Sequence, residues 1–451
     1  MAFWLADAPD GQASDWIARF DPRFWTVNFP RPMCAAVTAT APDALRVDAV
    51  FMTAGDLAGL IWASEDTIDH PLLAYATRRD YRHATLGFRW RSSGLVPLDA
   101  VNGPTLTIEG RDAGGNPRTW YVRLWNYAVG TSTDAQVTLA VSALDGGFLL
   151  PAEADPVWAG DIDRMFISLV PPGYVPASLA PLAAPVEAWV EMTGIVCDGA
   201  DAVIAIGDVI VPPHGLAIAT DFDDSGTQTP ARIVRTARQL GYRGSIVHYL
   251  GMSHHFRLAA AGPGFVVDNG AGALTAPARA WHANFFAECS VRGFSPIASL
   301  SYEVLAENCP DAWQQRAFDG APARTSYTPP SALLSPANVA AMGWLEMVAA
   351  EIVSLMAAAD LPIRVQIGEP WWWIMADGRP CLYDDAARAA LGGAPAEIAD
   401  MRAPLDAAGT ALLDAAGAVL AASTATIVGA VRVAAAPAPA QALLLVFTPT
   451  V

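Results

Sequence analysis

The sequence contains no lysine; its 27 basic residues are all arginine. That absence excludes several chemistries. Without a Schiff-base lysine, lysine-bound pyridoxal phosphate and class I aldolase mechanisms are out. The Walker A loop needs a lysine on the phosphates and a protein kinase needs one on a strand, so neither is present. Charge is scarce altogether, at 16% of residues, and 45 acidic residues leave a net charge of −18. A duplex nucleic-acid binder needs a basic face to displace counterions, so nucleic acid is not an expected partner. Cysteine is sparse too. Cys34, Cys197, Cys289, Cys309 and Cys381 are odd in number, widely spaced and without a CxxC pair. They read as reduced, buried thiols. No HExxH or Cys/His pattern and no GxSxG occurs, so no metal, no cofactor and no hydrolase triad are expected.

What the chain has in quantity is apolar material, 53% of 451 residues. That suffices for large cores, and the length suggests roughly two to four domains. The opening MAFWLADAPDG carries acids and no basic region, unlike a signal peptide. The best membrane-span candidate, residues 415–431, is uncharged but built largely of Ala, Gly, Ser and Thr. It reads as a packed helix, short of the ~20 apolar residues of a span. No membrane partner is expected, and the chain reads as soluble and made in the cytoplasm.

Residues 1–83 form an N-terminal arm and small subdomain, mixing Phe24, Trp25, Phe29, Pro30 and Pro32 with one strand-like run at 45–53. Residues 84–211 read as all-β. Short β-branched and aromatic runs at 86–91, 105–109, 120–125, 136–141, 164–169 and 188–195 are punctuated by Gly, Pro, Asn and Asp. That spacing predicts a β-sandwich or jelly roll. After Pro212-Pro213 the texture changes. Strand-like runs at 216–222, 245–250, 295–302, 363–368 and 442–447 alternate with helical stretches at 229–240, 276–291, 336–358 and 404–431. Ser335 before Pro336 reads as a helix cap. Residues 212–451 are therefore expected to form an irregular TIM-barrel-like α/β domain with parallel strands, with an open doubly wound sheet as the alternative.

Three constellations could carry chemistry. Asp221, opening DFDDSG at a strand end, resembles half a calcium loop, but the twelfth position is Arg232 where a glutamate is needed. The structural alternative is a strand-to-helix turn capped by its own acids. Glu369, in IGEPWWW at 367–373, follows a hydrophobic strand and precedes Trp371, Trp372 and Trp373. A glycosidase barrel presents an acid, base or nucleophile at that position, and indoles stack on sugar rings. Glu303 and Asp221 are the candidate partner carboxylates. The alternative makes Glu369 structural and the tryptophans packing anchors. His254 and His255, with His248 upstream, suggest metal only weakly, because neighbours on a strand point to opposite faces.

The stretch DWIARFDPRFWTVNFPRP (15–32), continuing into DALRVDAVF (43–51) and GDLAGLIWASED (55–66), together with IGEPWWW, resembles the non-contractile tail sheath proteins of tailed phages. The resemblance implies an N-terminal β module followed by a TIM-barrel-like domain. It implies a structural virion protein in many copies around a tail tube, with itself and the tube protein as partners. It assigns no catalytic residue. The rival readings are a glycoside hydrolase using Glu369 with Glu303 or Asp221, and a binder of host-surface glycan.

Overall fold

The computed structural model describes residues 15–207, 211–251, 256–268, 270 and 272–446. His254 and His255 lie outside the described residues. The chain divides into two compact units. The first comprises residues up to Ile218 with Ser225–Gly244 and Ala276–Phe294; the second comprises Ala219–Asp224, Ser245–Thr275 and everything from Ser295 onward.

The first unit holds β1 (Trp16–Ala18), β2 (Thr26–Asn28), β3 (Cys34–Ala41), β4 (Ala44–Thr53), β5 (Ala58–Ala63), β6 (Thr85–Ser93), β7 (Thr105–Arg111), β8 (Pro117–Arg123), β9 (Ala128–Thr131), β10 (Asp134–Ala140), β11 (Asp145–Gly146), β12 (Asp155–Pro156), β13 (Ile162–Leu169), β14 (Pro181–Asp198) and β15 (Val203–Ala205). Two sheets dominate, ordered β3-β4-β14-β6-β10-β9 and β2-β5-β13-β7-β8. Period-two patterning explains them. Leu86, Phe88 and Trp90 of β6 alternate with Arg89 and Arg91, and Ala135, Val137 and Leu139 of β10 alternate with polar residues. The inward residues of both sheets belong to one buried cluster that includes Phe88, Trp90, Val137, Trp62, Ile108, Trp120 and Met165.

The aromatic N-terminal stretch is part of that core. Phe20 sits 5.1 Å from Trp62, and Trp62 stacks on Tyr75 at 5.4 Å between ring centroids. The Trp62 indole donates to the Tyr81 hydroxyl at 3.1 Å, and the Arg19 guanidinium lies 4.0 Å above the Tyr81 ring. Burying an indole with its N–H satisfied places large apolar area at no polar cost.

After β16 (Ile218–Asp221) and the short α1 (Phe222–Ser225), helix α2 (Pro230–Gln239) belongs to the first unit. The arginines at 232 and 235 are both buried. Arg232 reaches Asp66 at 2.5 Å and Asp69 at 3.0 Å. Next come β17 (Ile246–Leu250), the hairpin β18 (Leu258–Ala261) and β19 (Gly264–Val267), and α3 (Ala276–Val291), which packs on β3 and β4. Trp281 of α3 donates its indole N–H to the Gln228 carbonyl at 2.9 Å. His282, fully buried, is pushed down to about 4 by desolvation.

The second unit continues with β20 (Ile297–Ser301), β21 (Glu303–Leu305), β22 (Ser331–Leu333), α4 (Val339–Ala358), β23 (Ile363–Gly368), α5 (Asp385–Ala390), α6 (Ala407–Ala435) and β24 (Ala440–Leu444). Its sheet runs β16-β17-β20-β23-β24, and the pairs β17/β20, β20/β23 and β23/β24 are parallel. Spatial order follows chain order with no reversal. A doubly wound sheet would reverse at a switch point, so the winding is the barrel type. The five strands are the five expected from sequence; no closed barrel is shown among the described residues.

Ala298, Leu300, Val365 and Ile367 are buried on one face of this sheet, against α4. The opposite face is polar: Gln366 donates to Ser299 at 2.9 Å, and Arg364 reaches Ser245 at 2.7 Å and Gln441 at 3.0 Å. Helix α6 packs on α4, and its buried residues Leu412, Ala416, Ser423, Ile427 and Val431 fall four or seven apart, on one helix face. By length and composition alone α4 and α6 could cross a membrane; half of α4's most apolar window is buried, and 22% of α6's.

The cap of α4 differs from expectation. Asn338, not Ser335, caps it by accepting from the Ala341 N–H at 3.0 Å. Ser335 instead closes the preceding turn, its carbonyl accepting from the Asn338 N–H. The start of α6 shifts likewise, to an Asp406 cap on Gly409 at 2.7 Å.

Candidate functional site

The polar residues at the C-terminal edge of the parallel sheet come from three of its strands. Glu303 follows β20, Glu369 follows β23, and Asp221 ends β16. Parallel β/α architecture gathers chemistry at this edge, because every strand delivers its last residue and following loop there.

Ser301, the last residue of β20, joins two of the three. Its hydroxyl donates to Glu369 Oε2 and accepts from the Glu303 backbone N–H at 3.1 Å. Glu303 Oε2 in turn accepts from the Ser331 hydroxyl at 2.6 Å, and Ser331 lies 3.0 Å from the Thr325 hydroxyl. Pairing of β21 with β22 sets this, placing Glu303 opposite Leu333. Gly368 permits the approach of the two strand ends: a Cβ there would lie 3.0 Å from the Leu300 carbonyl and the Ser299 hydroxyl. Glu369 itself adopts φ +49°, a left-handed conformation uncommon outside glycine.

Burial pushes the Glu369 carboxyl up to about 7, partly countered by the Ser301 hydroxyl and reinforced by the charge of Glu303. Burial also raises Glu303, against the Ser331 hydrogen bond. A carboxyl half-protonated near neutrality can give or take a proton there. Asp221 is raised by burial too, but its Oδ1 accepts from the Asp224 N–H at 2.6 Å, and the charge acting on it is that of Asp224. It turns the chain into α1.

The three tryptophans are all half-buried. Trp372 donates its indole N–H to the Ala416 carbonyl of α6 at 3.0 Å and packs on a cluster that includes Leu382, Tyr383 and Leu412. Trp373 packs on Ala317, Ala323, Leu333 and Cys381. The fully buried Gln315 holds their backbone, donating to the Trp371 carbonyl at 3.1 Å and accepting from the Trp373 N–H at 2.8 Å. Ser301, Ser331 and Gln315 escaped sequence reading. Only Ser301 carried a signal, a hydroxyl at a strand end two residues before an acid.

Among the described residues no group of three or more His, Cys, Asp or Glu side chains converges as a metal site would. His248 is buried within β17. The five thiols are unpaired with one another, and burial raises Cys197 to about 11 and Cys309 and Cys381 to about 12.

Likeness to solved structures is slight. A structure of the pneumococcal virulence factor StrH, from work on N-glycan recognition and hydrolysis, shares 14% identity over 51% of this chain and 52% of its own, with a TM-score of 0.28. An α-xylosidase from Xanthomonas citri shares 9% identity over 94% of this chain and 43% of its own, at 0.25. An α-N-acetylgalactosaminidase from Bifidobacterium bifidum shares 12% over 80% and 66%, at 0.23. The chain thus spans 43–66% of the lengths of these proteins. The family profiles are of another order. The non-contractile tail sheath N-terminal domain matches residues 17–207, and the non-contractile tail sheath protein TIM barrel matches residues 212–451. The chain belongs to the non-contractile tail sheath protein family.

Proposed function

We propose that this chain coats a non-contractile phage tail tube as a homo-oligomeric sheath, with itself and the tube protein as its partners. The observation that carries the reading is the consecutive match of both sheath domains, which together span nearly all of the chain. The side-chain chemistry supports it. Trp372 and Trp373 are engaged in packing, Gln315 clamps the backbone of the Trp371–Trp373 run, and four of the five thiols are buried. A chain with these properties works by surface and shape. Purified particles analysed by mass spectrometry should contain it at a fixed, high copy number, and its absence from them would overturn the reading. Glu369→Gln should leave assembly intact.

One observation favours a second reading, a barrel cleft that binds or cleaves a glycan. Glu303 and Glu369 flank one hydroxyl at the edge where barrel enzymes work, and Glu369 titrates near neutrality. Under that reading the chain acts on a host-surface glycan, and Glu369→Gln abolishes the activity. Purified protein inert toward host envelope glycans, in both binding and cleavage, would remove it.

A further inference from the structure

One face of the parallel sheet is built unlike the interior of a barrel. Such faces are normally closed by layers of bulky apolar side chains. Here the face turned away from α4 carries Tyr249, Ser299 and Gln366 in one cross-strand row. Ser299 is buried, but Tyr249 and Gln366 are only half-buried. The next row toward the C-terminal edge sets Ser301 beside Gly368. Gly251 flanks Ser301 on the other strand, since a Cβ there would lie 3.1 Å from the Ser301 Cβ. Two glycines thus form a floor around one serine, whose hydroxyl holds the Glu369 carboxyl.

The fold does not use all the polar atoms of this face. Gln366 donates its amide N–H to the Ser299 hydroxyl at 2.9 Å, which leaves its Oε1 open. The Tyr249 hydroxyl makes no hydrogen bond among the described residues. Glu369 and Glu303 each engage Oε2 and leave Oε1 open. Tyr249 and Gln366, two strands apart, stand about 10 Å from each other, with Ser301 between them one row on. Polar groups left open by the fold are stable where water or a ligand reaches them.

Charge narrows the ligand. Arg364, on the same face, is drawn to the opposite edge by the Ser245 hydroxyl at 2.7 Å and the Ser295 hydroxyl at 3.2 Å. Among the described residues no cation acts on Glu303 or Glu369, so their edge repels anions. An ammonium group only donates, and would leave the Tyr249 O–H without an acceptor. Hydroxyl groups both donate and accept, which matches a set of one phenol, one amide oxygen and two carboxyls.

We infer that Tyr249 and Gln366 complete, with the Glu303–Ser301–Glu369 group, a binding site for an uncharged saccharide. Tyr249 donates to a ligand oxygen, while Gln366 and the carboxyls accept from its hydroxyls. The inference rests on the second reading above, the glycan cleft, and adds to it the residues that hold the ligand and the exclusion of acidic sugars.

The probe is the oligosaccharide released from the host envelope, split into neutral and acidic pools and immobilised. Full-length protein should bind the neutral pool and pass over the acidic one. Tyr249→Phe and Gln366→Met should each weaken that binding roughly three- to tenfold, the worth of one hydrogen bond. Tyr249→Phe removes an atom with no partner inside the chain, so its denaturant midpoint should match wild type and exclude misfolding as the cause. Binding of the neutral pool that neither variant weakens overturns the inference and spares the glycan reading. So does binding confined to the acidic pool. A protein inert toward both pools removes the glycan reading and the inference together, and leaves the sheath reading standing.

Discussion

Glu369 and Arg232 show opposite ways of keeping charge out of water. Glu369 has no ion-pair partner among the described residues, and its carboxyl rises from its usual 4.5 to about 7. Between those values the folded protein binds a proton the unfolded chain does not, so stability from this group is full below about pH 4.5 and is lost as pH rises toward 7. Glu369→Gln keeps the hydrogen bond from Ser301 and cannot ionise. Chemical denaturation should find the variant more stable than wild type at pH 8, by up to about 3 kcal/mol, with the gap closing near pH 4.5. An equal gap at both pH values would refute the buried ionisation. Arg232, by contrast, is paired in a nearly dry site with Asp66 and Asp69, and Thr236 donates to Asp69 at 3.1 Å. Arg232→Met strands two carboxylates and should cost about 3–5 kcal/mol at neutral pH. Acid should shrink the loss, because protonation removes the stranded charge; thermal unfolding of both proteins at pH 5 and pH 8 measures it. The sequence puts Arg232 and Arg235 three apart in the helical stretch 229–240, hence on one helix side. It could not signal their partners, since Asp66 lies 166 residues away and only the packed fold brings it near.

At the scale of elements, sequence was most informative where a local period or cap set the structure. The five strands of the second unit's largest sheet and the helix Ala276–Val291 follow from apolar runs and their spacing. What joins the candidate site does not. Ser301 and Glu369 are 68 residues apart, and their meeting depends on the register of β20 against β23 and on Gly368 lacking a side chain. Helix starts were legible only to within a few residues, because Ser335 and Asn338 are comparable caps and the turn between them decides. The C-terminus of α4 offers a sharper test. Asp360 sits at φ +55°, its N–H donating to Ala357 and the Leu361 N–H to Met356. This is the paired bonding of a Schellman end, where glycine is preferred. The aspartate bears both the left-handed strain and a negative charge at the negative end of the helix dipole. Asp360→Gly should therefore stabilise the protein by about 1 kcal/mol, read as a raised denaturant midpoint with unchanged slope. A lowered midpoint would mean that the carboxylate makes a compensating contact.

At the scale of the whole molecule, a net charge of −18 sets copies of the chain against one another. Arginines visible in the structure are largely spent within the chain, as in Arg46 with Asp48 and Glu191, or Arg79 with Asp161 and Asp163. Under the sheath reading, contacts between copies must then draw on apolar surface, working against long-range repulsion. The two forces respond differently to salt. Screening length falls from about 30 Å at 0.01 M to about 8 Å at 0.15 M, which weakens repulsion between exposed charges and leaves apolar burial nearly unchanged. Self-association should therefore strengthen as salt rises over this range, seen in sedimentation velocity as a shift toward larger species at constant protein concentration. Intermolecular arginine–carboxylate pairs as the main glue would give the reverse, dissociation on adding salt.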